Sequence, residues 1–193
     1  PATPKRTIQA IIDRYTLQGG NTVWIDAGEY RTDKGICLDY RDRGAEEHWL
    51  TFQGAVAPNG EPAVSVRRTD SAGPVFSVAD GSRYVQLNGL RLAGGMHGIA
   101  INDRWTSSLT RDYFLENLRI SDTIEYGCYL YQAAGTLRHS IIHDAGWSGC
   151  FAAESDLTLE HCTVVASEEH SAVAMCGSDK RYRHRASVSV RDS

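Results

Sequence analysis

The sequence predicts an all-β solenoid of parallel strands, closed at its N-terminal end by one helix. Three observations predict it. A six-residue frame (apolar, two turn residues, apolar or small, any, apolar) begins at Leu87, Leu115, Leu137 and Leu159, at offsets of 28, 22 and 22 residues. A second apolar run follows each frame at a similar distance: Gly98-Ile99-Ala100-Ile101, Gly127-Cys128-Tyr129-Leu130, Gly149-Cys150-Phe151-Ala152 and Ala172-Val173-Ala174-Met175. Gly is frequent, 18 of 193 residues, and Pro is scarce at 5, a balance that suits short strands joined by turns. A unit of about 22 residues with three short strands cannot bury its own apolar face, so units stack at ~4.8 Å per coil around one core.

The first element is the helix. Ile8, Ile11, Ile12 and Tyr15 recur at helical spacing, Thr7 or the Thr3-Pro4 pair can cap it, and Gly19-Gly20 ends it. The helical cap is expected over about 4–18 and the coils over about 21–193, as a single domain. Strands follow at Val23-Trp24-Ile25, Ile36-Cys37-Leu38, Leu50-Thr51-Phe52, Ala63-Val64-Ser65-Val66 and Phe76-Ser77-Val78, less regularly than the four frames. Ser187-Val188-Ser189-Val190 starts a further coil, and six to seven coils are expected in all. The second turn residue of the frame is Gly89, Asn117, His139 and His161 in turn. Gly adopts a left-handed backbone freely and Asn and His tolerate it, so both histidines read as turn residues. A solenoid needs a polar cap at each end, and none is evident after Val190. The chain is therefore expected to belong to a longer protein, or to meet a further domain or subunit at its last coil.

Charge and composition exclude some functions. There are 20 Lys+Arg against 24 Asp+Glu, a net charge of −4, without the basic face of a nucleic-acid module. No apolar run approaches the ~20 residues of a membrane span, so no membrane partner is expected. The five cysteines, Cys37, Cys128, Cys150, Cys162 and Cys176, form no CxxC pair, so a zinc site of ordinary spacing is unsupported. Cys128 and Cys150, one period apart, read as small apolar residues stacked inside. The segment Asp39–His48 reads as a solvated charged loop.

Alternation assigns the candidate site. If Ile99, Ile101, Cys128, Leu130, Cys150 and Ala152 point inward, then Ala100, Tyr129, Tyr131, Phe151, Ala153 and Ala174 point outward. One outer face then carries Ala100, Tyr129, Phe151 and Ala174 in a row. Aromatic rings on such a face can stack on sugars, which nominates Tyr129, Tyr131, Phe151, Trp147 and Trp105 as substrate-binding residues; the competing reading packs them under residues 102–112. Met96-His97, Glu125-Tyr126, His143-Asp144 with Trp147, and Glu168-Glu169-His170 flank this face on one side. Asp103-Arg104-Trp105, Glu154 and Lys180-Arg181-Tyr182-Arg183-His184 flank it on the other. Among these segments His143-Asp144 is the best catalytic candidate. An imidazole moves protons near neutral pH and a carboxylate can orient it, although Asp144 can also simply shape a turn.

The helix, the segment Gly20-Asn21-Thr22-Val23-Trp24-Ile25-Asp26-Ala27-Gly28-Glu29-Tyr30 and the leucine-turn-leucine frames together resemble right-handed parallel β-helix proteins of the pectate-lyase-like superfamily. The resemblance covers nearly the whole chain. It implies a right-handed coil, a secreted or cell-surface location and a polysaccharide partner held on the outer face. It implies lyases, hydrolases, epimerases, tailspikes or adhesins alike, because fold does not choose among them.

For a lyase acting on uronates, His143 or Tyr129 would be the base and Arg181 or Arg183 would neutralise the carboxylate. For an inverting hydrolase, Asp144 with Glu154, or Asp122 with Asp144, would supply two carboxyls, ideally about 6.5–9.5 Å apart. An epimerase needs acid and base on opposite sugar faces. The chain lacks the aspartate-rich double motif with Gly-His-Gly of polygalacturonase-like hydrolases, the Arg-x-Pro-x-x-Arg of pectate lyases and the Asp-Pro-His-Asp of mannuronan epimerases. No cofactor is assigned, and calcium is the one ion kept open. The expectation is a carbohydrate-active domain that binds or cleaves an extracellular polysaccharide, with uronate-containing and neutral glycans both open, by lyase-like or hydrolase-like chemistry. The alternative is a non-catalytic stalk or adhesin segment.

Overall fold

The computed structural model describes residues 6–78, 81–101, 110–165, 170–176 and 187–191. After helix α1 (Ile8–Arg14) the chain coils through three parallel sheets. The first sheet holds β1 (Thr22–Ile25), β4 (Leu50–Gly54), β7 (Val85–Asn88), β10 (Thr110–Glu116), β13 (Ala133–Arg138), β16 (Asp156–Glu160) and β19 (Ser187–Arg191). The second holds β2 (Gly28–Thr32), β5 (Val64–Arg68), β8 (Leu90–Gly94), β11 (Arg119–Ser121), β14 (Ile141–Ile142) and β17 (Thr163–Val164). The third holds β3 (Ile36–Leu38), β6 (Phe76–Val78), β9 (His97–Ile101), β12 (Tyr126–Tyr131), β15 (Ser148–Ala153) and β18 (Val173–Cys176). The solenoid makes about five turns rather than six to seven, since its ends contribute partial coils.

The register explains why the frames recur. Val23, Phe52, Leu87, Leu115, Leu137 and Leu159 are successive partners in the first sheet. Tyr30, Val66, Leu92, Ile120, Ile142 and Val164 form the matching column in the second. Ile36, Phe76, Ile99, Cys128, Cys150 and Val173 form one in the third. These columns meet in one apolar core, and each fully buried Leu or Ile contributes about 1.5–3 kcal/mol. Cys128 and Cys150 are free thiols inside it, and burial pushes the Cys128 thiol up to about 12.

The turns fall where the sequence places them. Gly89, Asn117, His139 and His161 have φ of 71°, 50°, 50° and 52°. The His139 and His161 rings stack at 5.1 Å with 7° between planes. Two more left-handed columns exist. One contains Asp122 (57°) and Asp144 (52°), the other Gln132 (47°) and Glu154 (50°).

Helix α1 is shorter than predicted, because Tyr15 is already extended. Thr7 caps it, its hydroxyl accepting from the Ala10 amide at 3.2 Å, while Ile8 and Ile12 cover the apolar end of the coil. The loop at 39–48 is less solvated than its charge suggests. Asp42 is buried, accepts from the Leu17 amide at 3.0 Å, and burial pushes its carboxyl up. Ser82 donates to the Asp39 and Asp42 carbonyls, and Tyr113 donates to the Ser82 carbonyl, so this loop is bolted to the coil. No described helix is long and apolar enough to cross a membrane.

Candidate functional site

The outer row of the third sheet runs Cys37, Ser77, Ala100, Tyr129, Phe151 and Ala174, as paired residues on consecutive coils. A glycine column beside it shapes the site. A Cβ on Gly98 would lie 2.2 Å from the Ile120 side chain, on Gly127 2.3 Å from Ile142, and on Gly149 2.3 Å from Val164. These glycines therefore face the core, as do Ile99, Cys128 and Cys150 immediately after them. Two consecutive inward positions break the alternation. His97, Tyr126 and Ser148, which precede the glycines and are paired across the coils, no longer share the inward phase.

As a result His97 and Tyr126 join Tyr129 and Phe151 in one ring cluster. His97 stacks on Tyr126 at 5.3 Å and on Tyr129 at 5.1 Å. Tyr126 stacks on Phe151 at 4.7 Å, and Tyr129 on Phe151 at 5.6 Å with 3° between planes. Trp147 meets Tyr126 edge-on at 5.7 Å. The rings face one another along the solenoid axis, so the surface they present outward is mostly ring edge. This revises the expectation that their faces lie open to a sugar. Among the described residues no ring stacks on the far side of Phe151, where the next coil carries only Ala174.

Beside the cluster is a cleft of about 410 Å³, within the range of small-ligand pockets. It is lined by Gly73, Pro74, Met96, His97, Glu125, Tyr126, Tyr129 and Phe151. His97 is only 7% exposed. Burial pushes its imidazole down to about 4, with the Met96 main chain opposing weakly. Among the described residues its Nδ1 is buried without a hydrogen bond, and its Nε2 lies 3.9 Å from Oε2 of Glu125. Burial and the neighbouring Glu125 charge raise the Tyr126 phenol.

The nominated residues are distributed as follows. Tyr129 and Phe151 line the cleft, and Trp147 stands against Tyr126. Nδ1 of His143 lies 2.6 Å from Oδ2 of Asp144, so these neighbours do touch. They occupy the turn from β14 to β15. That turn is paired through Thr123 and Ala145 with the preceding one, and the Trp147 amide donates to the Glu125 carbonyl at 2.8 Å. Neither His143 nor Asp144 is among the residues lining the cleft.

Asp122 sits one coil from Asp144 but is held by Arg67 at 2.9 Å. Glu154 is at the other end of β15, whose six residues span roughly 20 Å, and accepts from Gln132 at 2.8 Å. That pair is not brought together. Tyr131 is 8% exposed and Ala100 fully buried, so the face is covered near the strand ends, which is a correction to their expected exposure. Trp105, Arg181 and Arg183 lie outside the described residues. No group of three or more His, Cys, Asp or Glu suited to a metal occurs among the described residues.

The sequence places Met96-His97 and Glu125-Tyr126 in the segments flanking this face but assigns His97, Glu125 and Tyr126 no catalytic or binding role. Their signal was the residue or two before each core-facing glycine.

No protein-family model matches the chain, and no curated protein matches it. Solved structures do. The A-module of a mannuronan C-5 epimerase of Azotobacter vinelandii superposes with a TM-score of 0.60 at 19% identity, over 87% of this chain and 48% of that one. An alginate lyase from Paenibacillus superposes with a TM-score of 0.59 at 13% identity, over 87% and 61%. A second mannuronan C-5 epimerase A-module of Azotobacter vinelandii gives 0.59 at 14% identity, over 95% and 57%. The chain thus spans about half to three fifths of the length of these structures. The fold is a right-handed parallel β-helix, pectate-lyase-like in architecture.

Proposed function

We propose that this β-helix binds an extracellular polysaccharide at the cleft on its third sheet and acts on it by lyase-like or hydrolase-like chemistry. The observation that carries the reading is the ordered cluster of His97, Tyr126, Tyr129 and Phe151 beside Glu125. It puts apolar ring edges, phenols, an imidazole and a carboxylate on one cleft of sugar-binding size. The epimerases and the lyase that share the fold lend support. Tyr129 is the proposed acid or base at the cleft, Phe151 and Trp147 bind the glycan, and the His143–Asp144 pair acts from the neighbouring turn. Arg181 and Arg183 remain the proposed partners for a sugar carboxylate, in a chain that would be secreted or surface-bound.

The test is a screen of uronate-containing and neutral polysaccharides, with and without calcium, following unsaturated product and reducing ends together. New absorbance makes it a lyase, reducing ends alone make it a hydrolase, and Tyr129→Phe should abolish either signal. Silence in both with intact folding overturns the catalytic reading. A second reading, a non-catalytic interaction segment, has one observation in its favour: the Ala100 and Tyr131 end of the same face is already covered.

A further inference from the structure

Among the described residues, two polar groups of the cleft have no direct match. Nε2 of His97 and Oε2 of Glu125 lie 3.9 Å apart, too far for a hydrogen bond but close enough for one oxygen to touch both. The imidazole cannot swing away, because it is stacked on Tyr126 and Tyr129 and its side chain is 9% exposed. A carboxylate accepts hydrogen bonds only, whereas a neutral imidazole nitrogen is a donor or an acceptor according to tautomer. The complement of this pair is a group that donates to Glu125 and either donates to or accepts from His97. A hydroxyl does both. A sugar carboxylate can accept from His97 but cannot donate to Glu125, and there it would meet like charge.

We propose that Glu125 and His97 form a hydroxyl-reading pair, and that the sugar residue seated in this cleft is a neutral one. The proposal rests on the polysaccharide reading above and narrows it to the hydrolase-like arm, because a lyase would need a uronate at Tyr129 in this same cleft: an acidic residue, where the glycan has one, sits outside it. Met96, Pro74 and the ring edges of Tyr126 and Phe151 supply the apolar walls against which a neutral ring loses its water. Glu125 is partly exposed and holds its neighbouring coils through its backbone, at the Met96 carbonyl and the Trp147 amide, so Glu125→Gln removes the charge and keeps those bonds.

The experiment is calorimetric titration of the whole chain with a neutral hexose hexasaccharide and with a hexauronate, for the native protein, Glu125→Gln and His97→Gln. NMR of the histidine rings is followed in parallel. The expected result is a Kd for the neutral glycan about tenfold below that for the uronate. Glu125→Gln should close this gap mainly by improving uronate binding, and the His97 ring resonances should move on adding the neutral glycan. His97→Gln should weaken the neutral glycan several-fold while Glu125→Gln retains native folding. A native preference for the uronate, or a gap unchanged in Glu125→Gln, overturns the hydroxyl-reading pair but leaves the polysaccharide reading standing. Binding of neither glycan overturns both.

Discussion

The imidazole of His97 lies 5.1 Å from the ring of Tyr129, with 10° between their planes, although the two residues are on different coils. This contact exists because the core-facing Gly98 and Gly127 put the ring before one glycine beside the ring after the next. It fixes an imidazole at the wall of the cleft and withholds water from it. The consequence for charge is direct: protonating His97 would bury a cation.

That gives the first prediction. The folded value of about 4 lies below the ordinary 6.5, so the unfolded chain takes up this proton before the folded one does. Stability should be unaffected by His97 above about pH 6.5 and should fall as pH drops toward about 4. Urea denaturation across this range should show the slope, and His97→Gln should flatten it. Histidine NMR titration should place the His97 ring near about 4.

The glycine column gives a second prediction. Gly127→Ala would bring a methyl within 2.3 Å of the Ile142 side chain and 2.7 Å of the Gly149 carbonyl. Overpacking of this kind costs about 1–3 kcal/mol, read as a lower urea midpoint. Gly60→Ala is the comparison. Its φ is 85° with nothing within 4 Å, so it should show only the backbone cost of about 1–2 kcal/mol.

Most of the fold was legible because its signals repeat. The leucine columns, the left-handed turn column and the row from Ala100 to Ala174 all recur at nearly constant spacing, and each reinforces the others. The site was legible only in part. His97 shares parity with Ile99, so strict alternation sends it to the core. Gly98 adds a second inward position and reverses that, a steric effect that appears only when Ile120 is seen beneath it. Tyr131 misled in the opposite sense, since parity places it outward but says nothing of what lies over it. Asp144 illustrates ambiguity of a third kind: one residue satisfies a turn and touches an imidazole, and sequence cannot rank the two.

Asp144 can be separated into those roles. Asn tolerates a φ of 52° nearly as well as Asp, so Asp144→Asn should hold stability within about 0.5 kcal/mol, while Asp144→Val should lose about 1–2 kcal/mol. If the pair with His143 serves the reaction as proposed, Asp144→Asn should also lower turnover by roughly 10²-fold on the substrate found by the screen. An unchanged turnover would leave Asp144 as a turn residue.

A fourth prediction concerns the outer row of the first sheet, where Trp24, Gln53, Asn88, Glu116, Arg138, Glu160 and Arg191 follow one another. Arg138 lies 2.7 Å from Glu116 and 4.6 Å over the Phe114 ring. Arg138→Ala should cost about 0.5–1.5 kcal/mol, with only part of the loss removed by high salt, because the ring contact is less sensitive to it than the ion pair.

The register has a consequence for how such a chain changes over generations. Thr22 pairs with Thr51, Thr51 with Gln86 and Leu115 with Leu137, although the intervening stretches differ greatly in length. The columns meter the coil, and the excursions between them are free to lengthen or shorten without shifting any neighbour out of step. Insertions at the rim of the third sheet can therefore remodel what the cleft recognises while the stacked interior is inherited intact.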